Sequence, residues 1–183
     1  MEVPTRSTGV SAGDSHSVAY NTQLNLVFMW GSYRNSLTGQ MHEPHTVPKR
    51  IGMLEFGRRA LKKVVSGAHH TLVLADDRLF AWGDPESGKI GRDIRTRRRN
   101  ESSLNIEGLM EKGVVDVFAG AYTSFLRNEG DVVKAWGLNN YGQLGIGSLS
   151  NTHMPTRVEE LCGKGVTQIV GGEHHSLALT AAG

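Results

Sequence analysis

Little in this 183-residue sequence suits a secreted, membrane-spanning or fibrous protein. Cysteine occurs once, at Cys162, so no internal disulfide can form and the chain reads as one for a reducing, intracellular compartment. The longest apolar stretch, Leu24 to Trp30, is interrupted by Asn25 and falls far short of the roughly 20 residues that cross a bilayer. The opening Met-Glu-Val-Pro has neither the basic nor the apolar segment of a secretory signal. Proline is scarce, with 5 residues, and no Gly-X-Y period exists, which excludes collagen and proline-rich linkers. Charge of one sign is also missing: 20 Lys+Arg face 18 Asp+Glu, a net of +2 that by itself selects no partner.

Glycine is the excess. It accounts for 23 residues, about twice the ~7% of average proteins, and many separate tight turns between short strands explain that best. Four segments open alike: Gly13-Asp14-Ser15-His16-Ser17, Gly67-Ala68-His69-His70-Thr71, Gly120-Ala121-Tyr122-Thr123-Ser124 and Gly172-Glu173-His174-His175-Ser176. Their first glycines lie 54, 53 and 52 residues apart, and Trp-Gly follows the first three openings at residues 30, 82 and 136. A period of this length defines an architecture before any single element does.

The second copy reads most clearly. His70 to Leu74 and Leu79 to Trp82 are rich in β-branched, apolar and aromatic residues, with turn-forming Ala75 to Arg78 between them, so a hairpin is predicted. After Trp-Gly come Gly88-Lys89-Ile90-Gly91 or Gly142-Gln143-Leu144-Gly145, a polar loop, a short strand near proline (Pro48 to Ile51, Pro155 to Val158) and a valine-rich run into the next opening. Four short strands per unit describe a propeller blade. Only Met53 to Lys63 and Leu104 to Lys112 look briefly helical. The expectation is an all-β chain, residues 1–183 forming one incomplete propeller of about three and a half four-stranded blades.

The Gly-x-x-His-Ser/Thr opening, the Trp-Gly end and Gly-Gln-Leu-Gly together resemble the regulator of chromosome condensation repeat, whose full-length members form seven-bladed rings. Three and a half units cannot close such a ring, so the resemblance implies a piece of a longer protein or one half of an assembly. The first unit lacks Gly-Gln-Leu-Gly and has instead Trp30 to Pro44, an irregular stretch resembling the blade that carries a β-wedge in the family's exchange factors for the small GTPase Ran. On that resemblance Asn35, Ser36, Leu37, Thr38, Gly39, Gln40, Met41 and His42 form the wedge, with Leu37 and Met41 pressing on the partner. A divergent surface loop is the competing reading. The resemblance also nominates Asp14, His69, Tyr122 and His174, from the unit openings, as GTPase-facing. His69 stands where the family has an acidic residue, which weakens the expected phosphate repulsion. His16, His70 and His175 are expected to hydrogen-bond within their blades.

Two stretches are basic. Lys89 to Asn100 holds six Lys or Arg against Asp93, and Lys49 to Lys63 holds six against Glu55, a net of +5 each. The family resemblance assigns Arg95, Arg97, Arg98 and Arg99 to the nucleosome's histone acidic patch, which arginine forks suit. Contact with a DNA phosphate backbone is a further expectation of such stretches, and a solvated loop without partner is the alternative. Nuclear, chromatin-associated location follows from the same resemblance.

Other signals fail on inspection. Gly83 to Lys89 has phosphate-loop spacing, but Ile90 offers no hydroxyl for Mg²⁺ and no convincing helix comes after it. The paired histidines lie in different units with no zinc-ligand spacing, so no metal or other cofactor is expected. Asp14-Ser15-His16 are neighbours on alternating faces and cannot form a triad. Trp30, Trp82 and Trp136, recurring once per unit, read as packing residues rather than ligand platforms. Two functions remain: a Ran exchange factor acting on chromatin without covalent chemistry or a small-molecule substrate, and a non-catalytic scaffold of the same family.

Overall fold

A computed structural model describes residues 8–34, 41–51, 56–91, 107–109 and 111–183. The first unit forms an antiparallel sheet of β1 (Gly9–Ala12), β2 (His16–Asn21), β3 (Leu26–Gly31) and β4 (His45–Ile51) in that order. The second repeats it with β5 (Leu61–Ser66), β6 (His70–Ala75), β7 (Arg78–Gly83) and a two-residue β8 (Glu107–Gly108). The third has β9 (Val114–Ala119), β10 (Thr123–Asn128), β11 (Val133–Gly137) and β12 (Thr152–Arg157), and the last unit contributes β13 (Val166–Gly171) and β14 (Ser176–Thr180). Three and a half blades are therefore present. The only helical turns among the described residues are the short 3₁₀ segments Glu86–Gly88 and Glu159–Leu161. Both stretches that look helical in the sequence contain strand instead, β5 and β8, because β5 buries Leu61 and Val64 between neighbouring sheets.

The second hairpin shows why the chain folds this way. All six residues of β6, His-Thr-Leu-Val-Leu-Ala, are buried, since sheets cover both its faces, and a continuous apolar run suits such a strand. Ala75 pairs directly with Arg78, leaving a two-residue turn whose Asp76 adopts φ 52°. Aspartate tolerates that left-handed backbone better than most residues.

First strands lie innermost. β1, β5, β9 and β13 contact one another in succession, so the sheets radiate from a common axis. The core is divided among the boundaries between sheets. Val18, Met29, Tyr33, Val64 and Trp82 fill the first, Leu72, Ile90, Val117 and Trp136 the second, and Phe125, Leu144, Val166 and Ile169 the third. Trp82 and Trp136 are wholly buried, as packing residues should be, while Trp30 is partly exposed.

The opening glycines are fixed by close approach rather than by turn geometry. A Cβ on Gly67 would run into the Gly120 carbonyl and the His70 ring, so any other residue forces two blades apart. The glycine of Trp-Gly has a different reason: Gly83 sits at φ 113°, beside the His69 carbonyl.

Candidate functional site

The four openings meet at one end of the fold. Their backbones are linked blade to blade, Asp14 N–H donating to the Ala68 carbonyl at 2.9 Å, Ala68 to Ala121 at 2.8 Å and Ala121 to Gly172 at 3.3 Å. This chain of bonds holds the next residues outward as one surface. Asp14 Oδ2 lies 3.6 Å from His69 Nε2, and the His174 ring packs against Tyr141, tilted by 47° with centroids 4.5 Å apart. Burial first, then the charges of Glu173 and Asp14, raise the Tyr122 phenol above its ordinary pKa. Arg34 pulls it down and Glu86 adds to the rise. All of these groups therefore act on one neighbourhood. Three carboxylates, Asp14, Glu86 and Glu173, are exposed there beside Arg34.

At the same end lie the described parts of the first unit's irregular stretch, residues 30–34 and 41–44. Arg34 and Met41 form an antiparallel bridge, and His42 N–H donates to the Tyr33 carbonyl at 2.9 Å. Ser32 Oγ donates to the His42 carbonyl, closing the base further. Residues 32–34 and 41–42 thus form a pinned stem, with Met41 46% exposed and His42 half-buried. Asn35, Ser36, Leu37, Thr38, Gly39 and Gln40, its expected tip, lie outside the described residues, as do Arg95, Arg97, Arg98 and Arg99 of the basic loop.

The stem's root supplies a residue that motif reading passed over. Tyr33 is 1% exposed, and its hydroxyl takes the Trp82 indole N–H at 2.8 Å and pairs with Thr71 Oγ1 at 2.9 Å. At the next boundary the same two partners, Trp136 Nε1 and Ser124 Oγ, converge at 3.0 and 2.7 Å on the Lys89 backbone carbonyl of Gly-Lys-Ile-Gly. Tyr33 therefore replaces the missing Gly-x-x-Gly carbonyl of the first unit. The signal was present: a unit without that tetrapeptide must supply another acceptor for the next unit's tryptophan. Burial pushes the phenol pKa well up despite both hydrogen bonds, so it stays protonated.

The motif histidines need correction. They bond to the succeeding blade and not within their own: His16 Nε2 pairs with Thr71 Oγ1 at 3.1 Å and His70 Nε2 with Ser124 Oγ at 2.8 Å. In the first two units the fourth motif residue thus reaches across the boundary to the fifth residue of the next opening. Burial, then the charge of His69, lowers the His16 pKa to about 4, and burial, then the charge of Lys89, lowers that of His70 to about 3. His175 is exposed. Lys89, the would-be phosphate ligand, is buried against Asp84, with Nζ to Oδ2 at 2.9 Å and both side chains almost wholly inaccessible. It braces a loop and cannot meet a nucleotide. Among the described residues no three His, Cys, Asp or Glu side chains gather as a metal-binding set.

Regulator of chromosome condensation repeat families match residues 114–143 and 133–179. Residues 114–179 carry repeats of this family, and the earlier openings follow the same pattern. Human E3 ubiquitin-protein ligase HERC2 is 34% identical over 184 aligned residues, which cover 97% of this chain and 4% of that protein. The crystal structure of human WBSCR16 superposes with a TM-score of 0.83 at 23% identity, covering 99% of this chain and 48% of that one. Prp20p of Saccharomyces cerevisiae, described with its binding to Gsp1p and histones, gives 0.78 at 18% identity over 96% of this chain and 45% of its own. The chain thus spans less than half of each relative. The two superpositions show a shared fold.

Proposed function

We infer that this chain is the wedge-bearing part of a guanine nucleotide-exchange factor for Ran, working in the nucleus on chromatin and making no covalent bond. The observation that carries the reading is the bridge between Arg34 and Met41, pinned at Tyr33 and His42 beside Asp14 and Tyr122. Exchange needs such rigidity. A factor speeds release by binding the GTPase more tightly once its phosphate and Mg²⁺ sites are disturbed, a reciprocal coupling of two ligands. Each ~1.4 kcal/mol of that preference is worth about tenfold in rate, and a stem that bends would dissipate it.

Prp20p, with its partners Gsp1p and histones, supports the kind of partner expected. The arginines Arg95, Arg97, Arg98 and Arg99 would then hold the nucleosome's acidic patch, separately from the wedge. A scaffold without exchange activity is the second reading. It is favoured by the relative whose name gives another activity, HERC2, and by His69 at a position acidic in the exchange factors.

Nucleotide release from Ran, measured with the complete protein, separates the two. The exchange reading expects acceleration that disappears when residues 35–42 are removed, and predicts that replacing Arg97, Arg98 and Arg99 by Ala weakens nucleosome binding while sparing exchange. No acceleration, or acceleration indifferent to the deletion, leaves the scaffold reading.

A further inference from the structure

In the second unit the backbone that follows Trp82-Gly83 stays in the boundary with the third as far as Ile90 and Gly91, and its Lys89 carbonyl receives the Trp136 indole and the Ser124 hydroxyl. The first unit behaves differently. Ser32 N–H donates to the Ser15 carbonyl at 2.7 Å, a tie to the unit's own opening that Asp84 repeats with His69 at 2.8 Å and Leu138 with Tyr122 at 3.0 Å. Immediately after that tie the chain turns away, and Arg34 is already bridged to Met41. A side chain spans the gap it leaves. The Tyr33 ring lies against His16 with centroids 4.1 Å apart, and its hydroxyl crosses to Trp82 Nε1 and Thr71 Oγ1 of the second unit. The carbonyl of the same residue accepts His42 N–H at 2.9 Å, and Ser32 Oγ donates to the His42 carbonyl, so the returning arm of the stem hangs on Tyr33 and its neighbour. A unit that offers a backbone carbonyl to the next tryptophan must keep its backbone in the boundary. A phenol reaches the same donors from a distance and lets its own backbone turn outward.

We propose that the Tyr33 hydroxyl is a positioning group for the stem: its two bonds to the second unit set the angle at which Arg34 and Met41 leave the fold, and the use of a phenol in place of a backbone acceptor is what frees the chain to form a stem at all. Applied to nucleotide release, this rests on the exchange reading. Tyr33 is 1% exposed and cannot touch a partner, so it acts only through the groups it holds. A misplacement of the stem by about 1 Å then slows the step that the stem performs far more than it weakens docking of the GTPase.

The test uses the complete protein and three variants. In Tyr33→Phe, hydrogen exchange of the His42 amide is expected to quicken at least about tenfold, because the stem opens without the whole fold opening. Release of nucleotide from Ran at saturating factor should slow at least about fivefold, while the half-saturating concentration moves less than about twofold. Val117→Ala, which leaves a cavity in the core of the second boundary, supplies a destabilised comparison and should change neither reading. Tyr33→Phe combined with Trp82→Phe removes the orphaned indole together with the hydroxyl, so unfolding stability returns in part while release stays slow. The proposal is overturned by His42 exchange in Tyr33→Phe equal to the parent's, by equal changes in Val117→Ala, or by release that recovers in the double variant. A parent protein that leaves Ran's nucleotide in place defeats the exchange reading alone, and the His42 amide then decides whether the hydroxyl holds the stem.

Discussion

Replacing Tyr33 by phenylalanine removes one oxygen from the boundary between the first two blades. That oxygen accepts the Trp82 indole N–H at 2.8 Å and pairs with Thr71 Oγ1 at 2.9 Å. Thr71 keeps two other partners, His16 Nε2 at 3.1 Å and Ser66 Oγ at 3.2 Å, so the cost falls on the indole, which is wholly buried and has no water to turn to. An orphaned buried donor costs about 1–3 kcal/mol, and about 2 kcal/mol is expected here. In a chain of this size that corresponds to a midpoint lowered by about 4–8 °C. Urea unfolding monitored by circular dichroism measures it. A cycle with Trp82→Phe should show coupling of at least about 1 kcal/mol, whereas a cycle with Trp136→Phe should show none, because Trp136 uses the Lys89 carbonyl. A loss below about 0.5 kcal/mol for Tyr33→Phe, or equal coupling to both tryptophans, would refute the replacement of a backbone acceptor by a side chain.

Buried ionisable groups give two further outcomes. His16 and His70 are held neutral, at about 4 and about 3, so below the ordinary 6.5 the unfolded chain takes up protons that the folded one refuses. Stability is then full above pH 6.5 and falls as pH drops, by up to about 1.4 kcal/mol per pH unit for each histidine. His70→Asn should flatten the profile of unfolding free energy between about pH 6.5 and 4.5 relative to the parent, and parallel profiles would contradict the assignment. Asp84→Asn leaves the Lys89 ammonium buried without its counter-charge, an expected loss of about 3–5 kcal/mol, while Asp84→Leu with Lys89→Met should recover most of it. A loss below about 1 kcal/mol for Asp84→Asn in chemical denaturation would show that solvent reaches the pair.

The repeat made the blades legible because each unit writes its own turn chemistry. The hairpin read from His70 to Trp82 appears as β6 and β7, and the valine-rich runs Val64–Val65 and Val114–Val117 fall in β5 and β9. The short strands near proline were found, though both begin three residues earlier, at His45 rather than Pro48 and at Thr152 rather than Pro155, and the second ends at Arg157 rather than Val158. Ile90, which has no hydroxyl for Mg²⁺, argued against a phosphate loop despite the glycine spacing, and the burial of Lys89 against Asp84 agrees. The direction of the histidine bonds was not legible. His16 and Thr71 are 55 residues apart and His70 and Ser124 are 54, one repeat each, so a sequence pattern alone cannot say whether a motif serves its own blade or the next.

Local order along the chain therefore determined the strands, their turns and the number of units, because each depends on a few neighbouring residues and a period that neighbours can express. The tertiary structure decided what joins the units: Tyr33 standing in for a carbonyl, Lys89 closed upon Asp84, and the stem brought beside Asp14 and Tyr122. Such joins arise only when radiating sheets approach closely enough to exclude water, at which point each buried donor needs an acceptor wherever the packing provides one.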